Sequence, residues 1–214
     1  MYHRQILPNG LRVVCEQVPH VRSVAIGFWV LCGSRNETRR EQGITHLLEH
    51  MAFKGTRNRS AREIAGVIDS VGGHLNAYTT KEYTCFYVKV LDRHFQLGME
   101  LLSDLILNAL LAPEELEKER NVVLEEIKAY EDSPDEQVFD LLTQPILNGH
   151  PLGHSILGTP ETIRSLTRED LLAYKERFYT PGNSCLAVAG NIEPEQVVAT
   201  TGKYWGEFHG HAAG

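Results

Sequence analysis

The stretch His46-Leu47-Leu48-Glu49-His50 restricts the fold more than any other part of this chain. With Ile44 and Met51 it places apolar residues at i, i+3, i+4 and i+7, the spacing of a helix that buries one face. At about 100° per residue, His46 and His50 lie roughly opposite Leu48 and one above the other. Any fold must therefore bury one side of a helix from about Glu41 to Phe53 and present two imidazoles, with Glu49 beside them, on the other.

Two histidines at i, i+4 are well placed to share a metal ion. A catalytic zinc site ordinarily has three protein ligands and keeps its fourth position open, and a neighbouring carboxylate takes a proton from the activated water. The order His-x-x-Glu-His reverses the common zincin order and is the one assigned to inverzincins. A plain solvated helix face is the competing reading, although such faces ordinarily carry Lys or Glu rather than paired His. A five-residue pattern also arises by accident, so the rest of the chain has to supply a third ligand.

That ligand is sought on the predicted helix from about Pro113 to Tyr130. Relative to Val123, the residues Leu116, Glu119, Glu126, Ile127 and Tyr130 fall within roughly 60° of one direction, while Glu125 points the other way. A carboxylate on an inward stripe needs a partner, because burying it unpaired is costly. Glu126 is thus the better third zinc ligand, and Glu119, on the same face, is placed to support it. Alternatively, either Glu pairs with a nearby Arg or Lys.

With 214 residues the chain can bury a sizeable core as one large domain or two small ones. A net charge of -7 speaks against non-specific nucleic-acid binding and suits a basic peptide partner. Cys15, Cys32, Cys85 and Cys185 form no Cys-x-x-Cys pair and read as reduced thiols. The amino terminus has no apolar run and no stretch is long enough to span a membrane, so the expected compartment is the cytoplasm.

In order, Leu11 to Val18 and Ser23 to Val30 read as strands of an early antiparallel hairpin or meander after the turn Pro8-Asn9-Gly10. Ser60 and Glu63 form a capping box for a second helix that ends near Gly72-Gly73. His74 to Thr79 and Tyr83 to Leu91 follow as strands. At a sheet edge, His74 to Thr79 could pair with an extended peptide; as an interior hairpin strand it could not. Helices are predicted from His94 to Leu111 and from Ser133-Pro134 to about Leu147, with further starts at Thr159-Pro160 and Thr167. Ser184 to Ala189 is a strand, and a last helix starts near Glu193. His150 and His154, in the loop from Asn148 to Thr159, read as structural or exposed, with a metal contact the less favoured role. His209 and His211 are weak as a site. Strands and helices do not alternate in clean β-α-β units, which predicts an α+β fold with helices packed on an antiparallel or mixed sheet.

Three ordered motifs, His46 to His50, Gly73 to Thr79 and Glu119 to Glu126, together with Leu7 to Arg12, Gly33-Ser34-Arg35 and Gly190-Asn191-Ile192, give the chain its resemblance. It resembles the pitrilysin family of zinc peptidases, most closely the group with the mitochondrial processing peptidase β subunit and its bacterial relatives. The resemblance implies one Zn²⁺ per chain on His46, His50 and Glu126, with Glu49 as general base and Glu119 orienting His50 or His46. It also implies that Asn76 holds the scissile carbonyl region and that the Ala77 backbone pairs with a peptide substrate. Family members carry a second half of similar fold that closes the cleft and supplies an Arg and a Tyr. These 214 residues are accordingly expected to be one zinc-binding amino-terminal domain, with the other half elsewhere in a longer protein or on a separate chain; a homodimer is a further expected assembly.

The resemblance implies a metalloendopeptidase acting on extended or presequence-like peptides. A non-catalytic peptide-binding or assembly subunit is the rival, and a peptide-degrading enzyme differs only in cleft shape.

Overall fold

The computed structural model describes residues 2–147 and 149–210. Its six strands are β1 (Tyr2–Ile6), β2 (Arg12–Gln17), β3 (Ser23–Val30), β4 (His74–Thr79), β5 (Thr84–Leu91) and β6 (Ser184–Gly190). The α-helices are α1 (Ile44–Ala52), α2 (Ala61–Ser70), α3 (Phe95–Asn108), α4 (Pro113–Glu131), α5 (Pro134–Ile146), α6 (Pro160–Ser165), α7 (Arg168–Phe178) and α8 (Pro194–Trp205). The strands make one mixed sheet in the order β1-β2-β6-β3-β5-β4, in which only the β2–β6 pair is parallel. The fold is the expected α+β.

Alternation along β3 explains the layering. Val24, Ile26, Phe28 and Val30 are fully buried against the helices, while Ala25 and Trp29 face the other side of the sheet. Helix α3 lies on β3 and β5, and Gly98 lets it approach, since a Cβ there would sit 3.1 Å from Ile26 Cδ1. Helix α8 covers β2, and α1 packs against β4, α4 and α7. These contacts carry α1 to the end of the sheet where β4 is the edge strand.

One expectation is corrected. β2 and β3 do not form a hairpin or meander with each other; β6 lies between them, parallel to β2 and antiparallel to β3. The hairpin is β1–β2, closed by Pro8-Asn9-Gly10, with Gly10 at φ 94°. At the end of β6, Gly190 accepts Val18 N–H on its carbonyl and has φ 149°. A Cβ there would meet Ser23 O at 2.3 Å, so a glycine is what lets β6 enter between the two strands. β1 carries no alternation because all five of its residues are exposed.

Candidate metal centre

Helix α1 is pinned by its apolar face: Ile44, Leu47, Leu48 and Met51 are all fully or almost fully buried. Burying each such side chain contributes about 1.5–3 kcal/mol, so the rotation of α1 is set by its core side. The opposite face is not solvated, since the His46 and His50 side chains are 14% and 19% exposed. Their ring centroids are 4.5 Å apart.

Helix α4 brings its carboxylates to these rings by burying Leu116, Val123 and Ile127. Glu126 Oε2 lies 3.7 Å from His50 Nε2 and 3.9 Å from His46 Nε2. One ligand atom from each of the three residues falls within 4.8 Å of the others, and no other group of three or more potential ligands converges among the described residues. Ligand atoms about 2.0–2.1 Å from a tetrahedral zinc stand roughly 3.4 Å apart. The cradle is therefore slightly wider than the ion needs, and the donor set fits it. Glu125 points to solvent, 72% exposed, and pairs with Lys128 at 2.6 Å. Glu126 keeps 40% exposure because it faces a cleft rather than the core, more than an inward stripe suggests.

Glu119 is buried, its Oε2 accepting from His50 Nδ1 at 3.1 Å and its Oε1 bound to Lys54 Nζ at 2.7 Å. It contacts His50 rather than His46, and it also pairs with a Lys. With the proton on Nδ1, the His50 Nε2 lone pair is turned toward Glu126. His46 has no such support: its Nδ1 is buried without a hydrogen-bond partner. Burial, with the nearby His50 second, lowers its pKa to about 4, so the ring stays neutral and able to bind metal near neutral pH.

Glu49 is almost buried beside the two rings, and its Oε2 accepts from Thr79 Oγ1 at 2.5 Å. Burial raises its carboxyl above the usual range, which the Thr79 bond opposes. Thr79 ends β4. Thr80 N–H bonds to Tyr83 O, so by alternation Tyr78, Asn76 and His74 bond toward β5 while the Ala77 amide points to the open edge. That amide donates to Asn76 Oδ1 at 2.9 Å. A cleft of about 670 Å³ runs from His46, Glu49 and Glu126 past Ala77 and Thr79 to Tyr130, Glu136 and Asp140. It shares Tyr130, Asp140, Ser155 and Leu157 with an adjoining hollow of about 480 Å³.

His150 and His154 do not join the metal group: His150 Nδ1 accepts Leu152 N–H, and His154 Nδ1 is buried without a partner. Asn148 and His211 lie outside the described residues. Thr79, Lys54 and Glu37 carry no periodic signal that marks them as partners of these groups. All four cysteines are free thiols, and no helix among the described residues is long and apolar enough to cross a membrane.

Residues 12–160 match the family model described as Insulinase (Peptidase family M16), and residues 165–214 match Peptidase M16 inactive domain. The chain is 48% identical over 208 residues to the uncharacterized zinc protease YmxG of Bacillus subtilis, covering 97% of this chain and 51% of that protein. It is 43% identical to the uncharacterized zinc protease ML0855 of Mycobacterium leprae, over 95% of this chain and 46% of that one. The crystal structure of a protease from Helicobacter pylori superposes with a TM-score of 0.92 at 26% identity, covering 100% of this chain and 52% of that chain. The chain spans about half the length of the curated relatives it matches. A convergence of His46, His50 and Glu126, inside a segment that matches the peptidase model, and relatives matched along most of the chain lead to one conclusion: the chain belongs to peptidase family M16, the pitrilysin family of zinc proteases.

Proposed function

We propose that these residues are the zinc-binding amino-terminal half of a metalloendopeptidase that cleaves extended peptides. The observation that carries the reading is the convergence of His46, His50 and Glu126 within 4.8 Å beside Glu49 and an open edge strand. One Zn²⁺ per chain would be held by those three side chains. When bound, it supplies Lewis-acid activation of water and of the peptide carbonyl.

Glu49 takes the proton from the attacking water and passes it to the leaving amine, held for that task by Thr79. The peptide adds as a further strand along β4, pairing with the outward Ala77 amide once Asn76 releases it and turns toward the scissile carbonyl region. Glu136 on the cleft wall favours a substrate with a basic side chain, which fits presequence-like segments, whereas Asp140 beside it is already paired with Lys81 at 3.3 Å. The remaining length of the longer relatives would supply the opposite wall, in preference to a second copy of this chain.

The rival, a non-catalytic peptide-binding or assembly subunit, draws on the match of residues 165–214 to an inactive domain. The four chemistry-bearing residues, however, all lie within the segment that matches the peptidase model.

Elemental analysis and peptide hydrolysis separate the two. One zinc per chain is expected in the parent and in Glu125→Ala, with loss in Glu126→Ala. Glu49→Gln should keep the zinc and lose hydrolysis in the longer protein, by about 100-fold or more. Hydrolysis surviving Glu49→Gln would remove the assigned base, and zinc surviving Glu126→Ala would remove the third ligand.

A further inference from the structure

The first N–H groups of a helix have no acceptor within it and must find one elsewhere. At α1 the residue before the helix is Gly43, at φ 89°, with no side chain to offer. A side chain could not be added there, since a Cβ would lie 2.6 Å from Ile163 Cδ1 and 2.7 Å from Leu157 O. The acceptors come from Glu37, six residues back in the chain and 4% exposed. Its Oε2 accepts Gly43 N–H at 2.9 Å and its Oε1 accepts Thr45 N–H at 3.0 Å. Thr45 is held a second time, its Oγ1 2.9 Å from the Tyr174 hydroxyl on α7.

The residue after Thr45 is His46. His50 has Glu119 to fix its ring, whereas His46 Nδ1 is buried with no partner at all. Ring orientation at His46 is consequently set by packing and by the backbone of the first turn of α1, which is the part Glu37 holds.

We propose that Glu37 is the positioning residue for His46, acting on the helix backbone as Glu119 acts on the ring of His50. The inference rests on His46 being a zinc ligand. It assigns a metal-site role to a carboxylate that belongs to none of the motifs around the ligands and touches neither the ligands nor the cleft.

Zinc affinity is the measurement, by competition with a chromophoric chelator on the parent chain, Glu37→Gln, Glu37→Asp and the remote core variant Ile68→Ala. Gln keeps one acceptor and loses the other; Asp keeps the charge but falls one methylene short. Both are expected to bind zinc about 10- to 100-fold more weakly, the loss typical of removing a group that orients a ligand. Cobalt(II) substituted for zinc should give an altered absorption band in the same two variants. Ile68→Ala, which removes core packing on α2 and none of the hydrogen bonds that hold the start of α1, should keep the parent affinity and spectrum. Parent-like affinity and cobalt spectrum in a folded Glu37→Gln or Glu37→Asp chain would overturn the proposal while leaving the zinc site standing. A parent chain that takes up no zinc would overturn both.

Discussion

The carboxylate of Glu49 accepts a 2.5 Å hydrogen bond from Thr79, the last residue of the edge strand. The same threonine thus ends the strand along which a peptide would lie and aims the group that would take the proton. A hydrogen bond to a charged group contributes about 1.5–3 kcal/mol, so Thr79→Val should lower kcat in the longer protein roughly 10- to 100-fold at nearly constant KM. Thr79→Ser, which keeps the hydroxyl, should stay within a few-fold of the parent. Equal losses in the two variants, or a loss confined to KM, would mean that Thr79 shapes the strand and does not orient the base. At this scale the sequence was readable where periodicity applies. Glu126 is separated from Glu125 by helix geometry alone, because the 100° step sends them to different sides of α4. Glu37, Lys54 and Thr79 escape that test: Glu37 sits in a loop and caps the backbone six and eight residues on, while Lys54, just beyond a helix end, and Thr79, at a strand end, bond to partners distant in sequence.

Two groups tied to α1 titrate in opposite senses. Burial holds His46 neutral and lowers its pKa from 6.5 to about 4, so the stability it contributes is complete above 6.5 and is lost as pH falls toward 4. Burial raises Glu37 from 4.5 to about 7 against the opposing bonds from Thr45 and Gly43, so its contribution is complete below 4.5 and is lost as pH rises through 7. Each displacement corresponds to roughly 3 kcal/mol, and between 4.5 and 6.5 the two nearly offset each other. With metal removed by a chelator, denaturant unfolding of Glu37→Gln should show stability falling relative to the parent as pH drops through that window. His46→Gln should show it rising. A pH-independent difference from the parent in either variant would refute the assignment for that residue. Elements themselves were legible where local patterns decide them, as in the apolar spacing of α1 and the Ser60 and Glu63 cap of α2. The place of β6 was not, since its partners β2 and β3 lie more than 150 residues before it and nothing local records a pairing over that distance.

On the scale of the molecule, the described residues bring together the metal cradle, the proposed base and one open strand, and together these make a single wall of a cleft. Pairing along β4 gives a peptide a few backbone hydrogen bonds, each contributing about 0.5–1.5 kcal/mol net. The sum is of the order of 4 kcal/mol, which corresponds to millimolar affinity. The three proposed zinc ligands lie on α1 and α4, and the apolar faces of both helices are buried in this chain's own core. Metal binding and peptide hydrolysis should therefore separate when the 214-residue chain is compared with a relative of twice its length, such as the Bacillus subtilis protein. Chelator competition should give the two proteins similar zinc affinities. Hydrolysis of an extended basic peptide by the shorter chain should show KM pushed to the millimolar range, with kcat/KM lower by about 100-fold or more. If the short chain cleaves the peptide as efficiently as the long one, the single wall suffices and the remaining half of the longer protein serves something other than holding substrate.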